Sequence, residues 1–195
     1  MAQYFDNQEL PSNIKKLDIV LLGQKFTFYT DNGVFSKNNI DYGSRVLLES
    51  IDISDIKGNI LDVGCGYGVI GITLNKLTGY ETLMIDVNKR ALHLAERNIK
   101  ENKLKDISVL ESNCYEAVNN KFNTIITNPP IRAGKKIVYE IVLKATEYLE
   151  KDGQLFIVIR KEQGAKSLLV ELEKIYNVEV VNKVHGYYII KCKNT

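Results

Sequence analysis

The chain has few of the residues that define several protein classes. Its 195 residues include no tryptophan, three prolines, two histidines and three cysteines, namely Cys65, Cys114 and Cys192. The cysteines are far apart and form no Cys-x-x-Cys pair, so neither a disulfide framework nor a zinc site is suggested. No apolar run approaches membrane-spanning length, and the polar amino terminus does not resemble a signal peptide. A cytoplasmic protein that binds neither metal nor membrane is therefore expected.

The size and net charge of the chain limit the number of domains and the kinds of partner that it can have. Lysine and arginine number 26 against 24 acidic residues, which gives a net charge of +2 at pH 7. This balance is compatible with an RNA partner without requiring one, because binding depends on where positive charges cluster. The length suits one domain with a substantial core. We expect residues 1–16 to form a flexible lead-in and residues 17–195 to form that single domain.

The strongest local signal is the glycine-rich stretch LDVGCGYGVIGI at residues 61–72. A short apolar strand that carries Asp62 leads into a turn with Gly64, Gly66 and Gly68, and an apolar helix follows. Glycines at alternate positions permit backbone angles that other residues avoid, and they let a ligand approach the main chain. The helix directs its free N–H groups at whatever lies on the loop. The stretch therefore predicts a cradle for a nucleotide-type ligand.

Two kinds of cofactor fit a loop of this type. Residues 66–71 match the dinucleotide pattern G-x-G-x-x-G. However, Gly64 comes early for that pattern, and the carboxylate of Asp62 suits a cationic amine better than a pyrophosphate. The order Asp-x-Gly-x-Gly-x-Gly resembles the first motif of class I S-adenosylmethionine-dependent methyltransferases. The resemblance implies S-adenosylmethionine as the cofactor, its methionine part held by Asp62, Gly64, Gly66 and Gly68; glycines that serve packing alone are the alternative.

Beyond the loop, strands alternate with amphipathic helices. Further strands are predicted at 82–86, 107–111, 122–127 and 154–160, with apolar stripes at helical spacing between them. Such alternation predicts parallel strands joined by crossover helices. The last helical stripe consists of Leu168, Leu169, Leu172 and Ile175.

The C-terminal segment departs from this alternation. The runs at 178–181 and 187–192 are separated by only a handful of residues, whereas a parallel crossover needs about a dozen. They are therefore predicted to pair as an antiparallel hairpin, as the last strands of class I methyltransferases do. The fold class that follows is α/β: a doubly wound, mostly parallel seven-stranded sheet with an antiparallel C-terminal hairpin.

The segment at 17–56 is predicted to add a β-hairpin and a helix before a cofactor-binding core at 57–195. Two β-rich runs, 19–22 and 25–29, are interrupted by Gly23-Gln24 and predict the hairpin. An amphipathic helix is predicted to follow it.

Two segments are predicted to bind the nucleoside part of the cofactor. Asp86 ends the second core strand, from which an acid reaches ribose hydroxyls; capping the next helix is its alternative role, which Asn88 could equally fill. The resemblance implies that the loop after the third strand binds adenine through the Asn113 side chain and the Cys114 backbone. Val87, the residue after Asp86, is also predicted to contact the cofactor. A polar loop without this role is an equally good interpretation of Asn113.

The sharpest signal is Asn-Pro-Pro at 128–130, directly after the fourth core strand. Adjacent prolines fix the backbone and lack N–H groups, so nearby carbonyl groups remain acceptors. The Asn128 side-chain oxygen and the Pro129 carbonyl could both accept from one exocyclic NH2, aiming its lone pair at the methyl donor. Asn128, Pro129 and Pro130 are the predicted catalytic residues, and Asn128 also borders the cofactor. A prolyl turn without a role is the alternative.

Residues 128–135, together with 33–36 and 41–44, narrow the resemblance. From residue 17 to residue 192 the chain resembles the small domain of the 16S ribosomal RNA guanine-N2 methyltransferases, the small-subunit methyltransferase C type. This implies methyl transfer to an exocyclic amine of an RNA base, with guanine N2 in 16S rRNA favoured, and RNA or the small ribosomal subunit as partner. The longer enzymes have an N-terminal half without a counterpart here, which leaves its contribution to recognition open.

Substrate contacts are predicted beside the prolines. Arg132, Lys135 and Lys136 suit an RNA phosphate, although for Lys136 a solvated helix face is nearly as good an explanation. Ile131 follows the prolines and is also predicted to contact the substrate. Related enzymes often carry an aromatic residue at this position, which stacks on the base. Phe35 or Tyr67 could replace that stacking. For Phe35, packing in the core is the favoured alternative.

Three other functions remain open. Enzymes acting on adenine N6 or on a protein glutamine use Asn-Pro-Pro in the same way; the missing aromatic counts against adenine and the basic residues count against protein. A non-catalytic RNA-binding or ribosome-assembly factor is disfavoured by the intact Asp62, Asp86 and Asn128. An NAD-dependent oxidoreductase is disfavoured by the C-terminal hairpin and the prolines. The oligomeric state is not predicted.

Overall fold

The structure, a computed structural model, describes residues 11–36 and 38–194, so most of the predicted lead-in lies outside the described residues. The strands are β1 (Lys15–Leu21), β2 (Gln24–Thr30), β3 (Ile60–Val63), β4 (Thr82–Asp86), β5 (Ile107–Glu111), β6 (Phe122–Thr127), β7 (Leu149–Arg160), β8 (Asn177–Val184) and β9 (Tyr187–Lys193). The α-helices are α1 (Tyr42–Ser50), α2 (Val69–Thr78), α3 (Lys89–Glu101), α4 (Lys135–Tyr148) and α5 (Ala165–Leu172). Of these helices, none is both long enough and apolar enough to span a membrane.

Seven strands form one sheet in the order β5-β4-β3-β6-β7-β9-β8. The first five strands are parallel to one another, while β9 is antiparallel to both β7 and β8. Only His185 and Gly186 connect β8 to β9, and both have positive φ angles, as a tight hairpin turn requires. The predicted sheet and its reversed C-terminal hairpin are thus confirmed.

The sheet is buried on both faces, which explains why its central strands are apolar almost throughout. One core lies beneath α1, α2, α3 and the β1–β2 hairpin. The other lies beneath α4 and α5. Neighbouring residues of β7 alternate between the cores: Phe156 and Val158 belong to the first, Leu155 and Ile157 to the second. Packing on both faces therefore helps to hold β7 in register with its neighbours.

Two local predictions were wrong. The N-terminal hairpin turns at Leu22 and Gly23, one residue earlier than predicted, because both adopt the positive φ angles of a two-residue turn (49° and 75°). The predicted last helix included Ile175, but α5 ends at Leu172 and Ile175 is exposed. Tyr176 fills the core instead, and its hydroxyl donates to the Val142 carbonyl at 2.9 Å.

Two asparagines, Asn98 in α3 and Asn102 at its C-terminal cap, fasten the hairpin to the rest of the fold. Asn98 accepts from the Tyr29 N–H at 2.6 Å and donates to the Tyr29 carbonyl at 3.1 Å, and Asn102 forms the same pair with Thr27. Their amides thus replace a neighbouring strand along β2. Asn98 also donates to the backbone carbonyl of Tyr67 at 2.8 Å. The hairpin is thereby linked directly to the glycine-rich loop.

Candidate active site

The predicted site residues meet at the carboxyl ends of three adjacent parallel strands. Asp62 lies in β3, Asp86 ends β4, and Asn128 follows β6. Since β3 pairs with both β4 and β6, these three side chains are brought to one edge of the sheet. Thr127 adds a brace, donating its hydroxyl hydrogen to the Val63 carbonyl at 2.8 Å.

The glycine-rich loop has the geometry of a ligand cradle. Gly64, Gly66 and Gly68 have φ angles of 73°, 56° and 96°, a region that other residues rarely adopt. A Cβ atom placed on Gly66 would meet no atom within 4 Å, so this backbone is open to a ligand. At Gly71, in contrast, a Cβ would come within 2.6 Å of the Met84 side chain. Gly71 therefore serves close packing of α2, which accounts for the chance match to the dinucleotide pattern.

Asp62 is buried with an unsatisfied oxygen. Asp62 is only 1% exposed, and one of its carboxylate oxygens, Oδ2, accepts from the Gly71 N–H at 2.8 Å. The other oxygen, Oδ1, is buried and has no hydrogen-bond partner among the residues that the structure describes. Burial raises the pKa of this carboxyl to about 7, an effect that the Gly71 N–H opposes and the nearby Asp86 charge reinforces. A cationic amine at Oδ1 would satisfy this atom, so the residue fits the ammonium group of a bound methionine moiety.

Asp86 links the end of β4 to the glycine-rich loop. Its Oδ2 accepts from the Gly66 N–H at 2.8 Å and its Oδ1 from the Asn88 N–H at 2.9 Å. Burial raises the pKa of Asp86, while these bonds and the N–H of Val87 oppose the shift. Asn88 caps α3 by accepting from the Ala91 N–H at 3.2 Å, so the capping role belongs to Asn88. A carboxylate has about four acceptor positions, so Asp86 can still accept from a ribose hydroxyl.

The loop after β5 completes the predicted cofactor side of the site. Ser112 donates its N–H to the Asp86 carbonyl at 3.0 Å and its hydroxyl to the Cys114 carbonyl at 2.8 Å. Asn113 is exposed, and its Nδ2 donates to Glu116 at 3.0 Å. That bond directs Nδ2 along the loop and leaves Oδ1 as the acceptor end. The placement fits the predicted contact with an adenine amino group.

Asn128 is held in one orientation by groups at the start of α1. Its Nδ2 donates to Asp41 Oδ2 at 2.7 Å and to the Ser44 hydroxyl at 3.0 Å. An ionised carboxylate only accepts hydrogen bonds, so the NH2 end of the amide must face Asp41. The amide oxygen consequently points the other way. No residue in the described part of the chain donates to it, and it stands as a positioned acceptor.

Asp41 and Gly43 make this contact possible. Asp41 also caps α1, accepting from the Ser44 N–H at 2.9 Å. A Cβ on Gly43 would lie 2.9 Å from Asp41 Oδ2, 3.1 Å from the Tyr187 ring and 3.4 Å from Asn128 Nδ2. Only glycine therefore lets α1 approach Asn128 this closely. In the sequence these residues carry only a resemblance, because their contact with Asn128 joins positions far apart in the chain.

The prolines place Asn128 against the glycine-rich loop. Pro129 is buried, and Pro130 precedes a short helical turn at Ile131–Ala133. The Pro130 ring lies 3.6 Å from the position of a Cβ on Gly64. The Asn-Pro-Pro segment and the cradle thus share one wall. Ile131 is half-buried against the core beneath α4.

The aromatic candidates behave differently from expectation. Phe35 is 51% exposed, so the favoured prediction that it packs in the core was wrong. Tyr67 is only 4% exposed and packs edge-on against Phe28, which excludes it as a surface for base stacking. Its hydroxyl donates weakly toward the carbonyls of Ser36 and Asn39 at 3.5 and 3.4 Å. Tyr67 therefore holds the loop that presents Phe35.

The predicted phosphate contacts lie at the surface near the prolines. Arg132 and Lys135 are both exposed, and neither enters an ion pair with another residue of the described ranges. Lys135 Nζ lies 4.8 Å from the centre of the Tyr139 ring. Both charges are available to a polyanion. Within those ranges, no group of three or more His, Cys, Asp or Glu residues could hold a metal ion.

Comparison with known proteins agrees with this picture. The family model "Methyltransferase small domain" matches residues 25–191. A Bacillus subtilis protein described as uncharacterized, YbxB, is 44% identical over 194 residues, which is 97% of this chain and 96% of the relative. The ribosomal RNA small subunit methyltransferase C of Haemophilus influenzae strain 86-028NP is 38% identical over 140 residues. That match covers 69% of this chain but only 42% of the longer relative.

A solved structure supports the fold. The 16S rRNA N2 methyltransferase of T. thermophilus, determined in complex with AdoMet and guanosine, matches with a TM-score of 0.84 and 27% identity. The match covers 95% of this chain and 52% of that one. The chain thus spans about half of this neighbour's length. The predicted class I methyltransferase fold, with its added N-terminal hairpin and helix, is confirmed.

Proposed function

Because the chain belongs to the methyltransferase small-domain family, we propose that it methylates an exocyclic amine of an RNA base, with guanine N2 of 16S ribosomal RNA as the preferred target. The cofactor is S-adenosylmethionine, as in the related structure solved with AdoMet. The observation that carries the proposal is the fixed Asn128 amide, whose oxygen faces away from Asp41 beside the glycine-rich loop.

Four groups of this chain suit the cofactor. The unpaired Oδ1 of Asp62 would accept from its ammonium group, and Asp86 from its ribose hydroxyls. Asn113 would accept from the adenine amino group, while the open backbone at Gly66 allows close approach. When bound, S-adenosylmethionine supplies a methyl group that its sulfonium charge makes strongly electrophilic.

Asn128 and Pro129 would act on the substrate. Their oxygens can accept both N–H bonds of one exocyclic NH2 group, which turns the nitrogen lone pair out of conjugation with the base. The same two acceptors stabilise the positive charge that develops on this nitrogen as the N–C bond forms and the S–C bond breaks, with the neutral thioether as the leaving group. The methylated nitrogen would then lose one N–H proton to solvent water, without proton transfer to Asn128. Because Asp41 fixes the amide beforehand, little reorganisation is needed when the substrate arrives.

The preference for an RNA base rests on two further observations. Arg132 and Lys135 place unpaired positive charge beside the prolines, where a phosphate backbone would pass. The longer relatives are named as ribosomal RNA methyltransferases, and one was solved with guanosine. Bases in a double helix are inaccessible, so the target would be an unpaired or flipped-out nucleotide.

The proposal is tested by transfer of labelled methyl from S-adenosylmethionine to small ribosomal subunits and to protein-free 16S RNA, followed by nucleoside analysis. Labelled N2-methylguanosine is the expected product. Label in methyladenosine or in protein would retain the cofactor and overturn the substrate. An absence of label in every fraction, despite measurable cofactor binding, would favour a non-catalytic RNA-binding factor.

Asp41→Ala is expected to lower kcat about tenfold or more with little change in the affinity for S-adenosylmethionine, because the Asn128 amide loses its orienting acceptor. The change also removes the cap of α1, which costs about 1 kcal/mol of stability. Because one oxygen of Asp41 accepts from both the Ser44 N–H and Asn128, the control is Asp41→Ser. A serine hydroxyl caps helices well but lies closer to the backbone than Asp41 Oδ2, so this variant should restore stability more fully than turnover. Steady-state kinetics and thermal unfolding of both variants separate orientation from capping. Loss of both kcat and stability in Asp41→Ala, with both restored in Asp41→Ser, would assign Asp41 a capping role only.

A further inference from the structure

Three aromatic side chains form an exposed cluster beside Asn128. Tyr42, the first residue of α1, is 45% exposed. Its ring meets Tyr187 edge-on at 5.6 Å between centroids and His185 edge-on at 6.0 Å. We call these three residues the aromatic platform. It brings together the start of α1 and the β8–β9 turn, which no local sequence pattern connects.

The platform is held in place from below. Tyr187 is half-buried, with its ring 3.1 Å from the position of a Cβ on Gly43 and 5.2 Å from the guanidinium carbon of Arg160. Tyr42 therefore rests on a fixed ring and keeps part of its own ring free. An aromatic surface that is already ordered loses little conformational freedom when a flat ligand stacks on it.

The position of the platform beside Asn128 indicates which ligand the platform would contact. The Tyr187 ring and the Asn128 Nδ2 atom both lie within 3.4 Å of one point above Gly43, so the platform borders the NH2 end of the amide. The target amine would bind at the amide oxygen, which points about 120° away from the nitrogen. Because both amide atoms are bonded to the same carbon, the platform still lies close to the position proposed for the target amine. A neighbouring nucleotide of the same strand would reach it.

We propose that the aromatic platform stacks a base adjacent to the target nucleotide in single-stranded or flipped-out RNA; this rests on the proposed function. Stacking on aromatic rings accepts any base, since every base has a flat π face. Arg160 supplies positive charge at the same edge, although it also pairs with the exposed Glu162 at 3.4 Å. The platform thereby provides an aromatic surface near the site, where this chain has Ile131 in place of the aromatic residue that often follows the prolines.

The test uses single-stranded RNA oligonucleotides with one guanosine and the fluorescent base 2-aminopurine placed directly 5′ or 3′ of it. Stacking quenches 2-aminopurine, so the wild-type protein should quench one of these positions. Tyr42→Ala should lose that quenching and bind RNA about tenfold more weakly. Tyr42→Phe, which keeps the ring, should retain both. Tyr80→Ala, which removes an exposed tyrosine at the opposite end of the strands, is the matched control and should resemble the wild type.

Unchanged RNA affinity and quenching in a folded Tyr42→Ala protein would overturn the proposal. Should that variant fail to fold, His185→Ala removes one support of the Tyr42 ring from a surface turn and should weaken quenching in the same direction. Failure of the proposed function gives a different result, since the wild type would then bind the oligonucleotide without methylating it. Wild-type protein that does not bind the oligonucleotide at all would overturn both.

Discussion

Asn128→Ala is expected to lower the rate of methyl transfer about 10²- to 10³-fold, the loss found when one positioned acceptor or donor is removed from a reacting centre. The variant should bind S-adenosylmethionine with an affinity within about twofold of the wild type, because this interaction acts on the amine and not on the ground-state cofactor. Alanine leaves the buried Pro129 and the strand β6 unchanged. Single-turnover kinetics with saturating cofactor and isothermal titration of cofactor binding measure the two quantities separately.

The matched control is Asn120→Ala, which changes an exposed asparagine before the opposite end of β6. It should keep both activity and cofactor affinity. Near-normal turnover in Asn128→Ala would falsify the proposed role of the amide oxygen. If cofactor affinity fell together with turnover, Asn128 would instead belong mainly to the cofactor site.

The overall topology follows from the sequence because it depends on long-range spacing. Alternation of strands and helices requires parallel pairing, and the short connection before β9 permits only a reversed strand. These constraints also bring the ends of β3, β4 and β6 together, and with them Asp62, Asp86 and Asn128. Turn positions and helix ends are set by single residues, so Leu22 and Ile175 were placed wrongly.

What the sequence could not predict is how the N-terminal segment docks. Asp41 meets Asn128 only because Gly43 lets α1 lie against it, and no periodic pattern encodes that contact. Tyr67 is buried because the β1–β2 hairpin covers it, and Phe35 is exposed because its loop lies outside that contact. In each case the outcome is decided by packing between elements that are distant in the chain.

Asp62 should make cofactor binding depend on pH. Its folded-state pKa, raised by burial from 3.8 to about 7, means that the unliganded protein retains a proton that the unfolded chain loses. The stability it contributes is therefore complete below pH 3.8 and is lost as pH rises to about 7. A cationic amine at the unpaired Oδ1 favours the ionised form, so affinity for S-adenosylmethionine should rise between pH 6 and pH 8. The rise should be several-fold, because an α-amino group is itself about half neutral near pH 8.

Asp62→Asn removes this titration. The affinity for S-adenosylmethionine at pH 8 should therefore fall, and its rise between pH 6 and pH 8 should flatten. Asp86, whose pKa burial also raises, faces the same loop and could contribute a second pH dependence. Any slope that survives in Asp62→Asn would therefore report on Asp86. The control Asp106→Asn changes an exposed carboxylate before β5 and should keep the wild-type profile. If wild-type affinity were flat over this range, Asp62 would be ionised before the cofactor binds, and its unpaired oxygen would need a partner from the protein or from water.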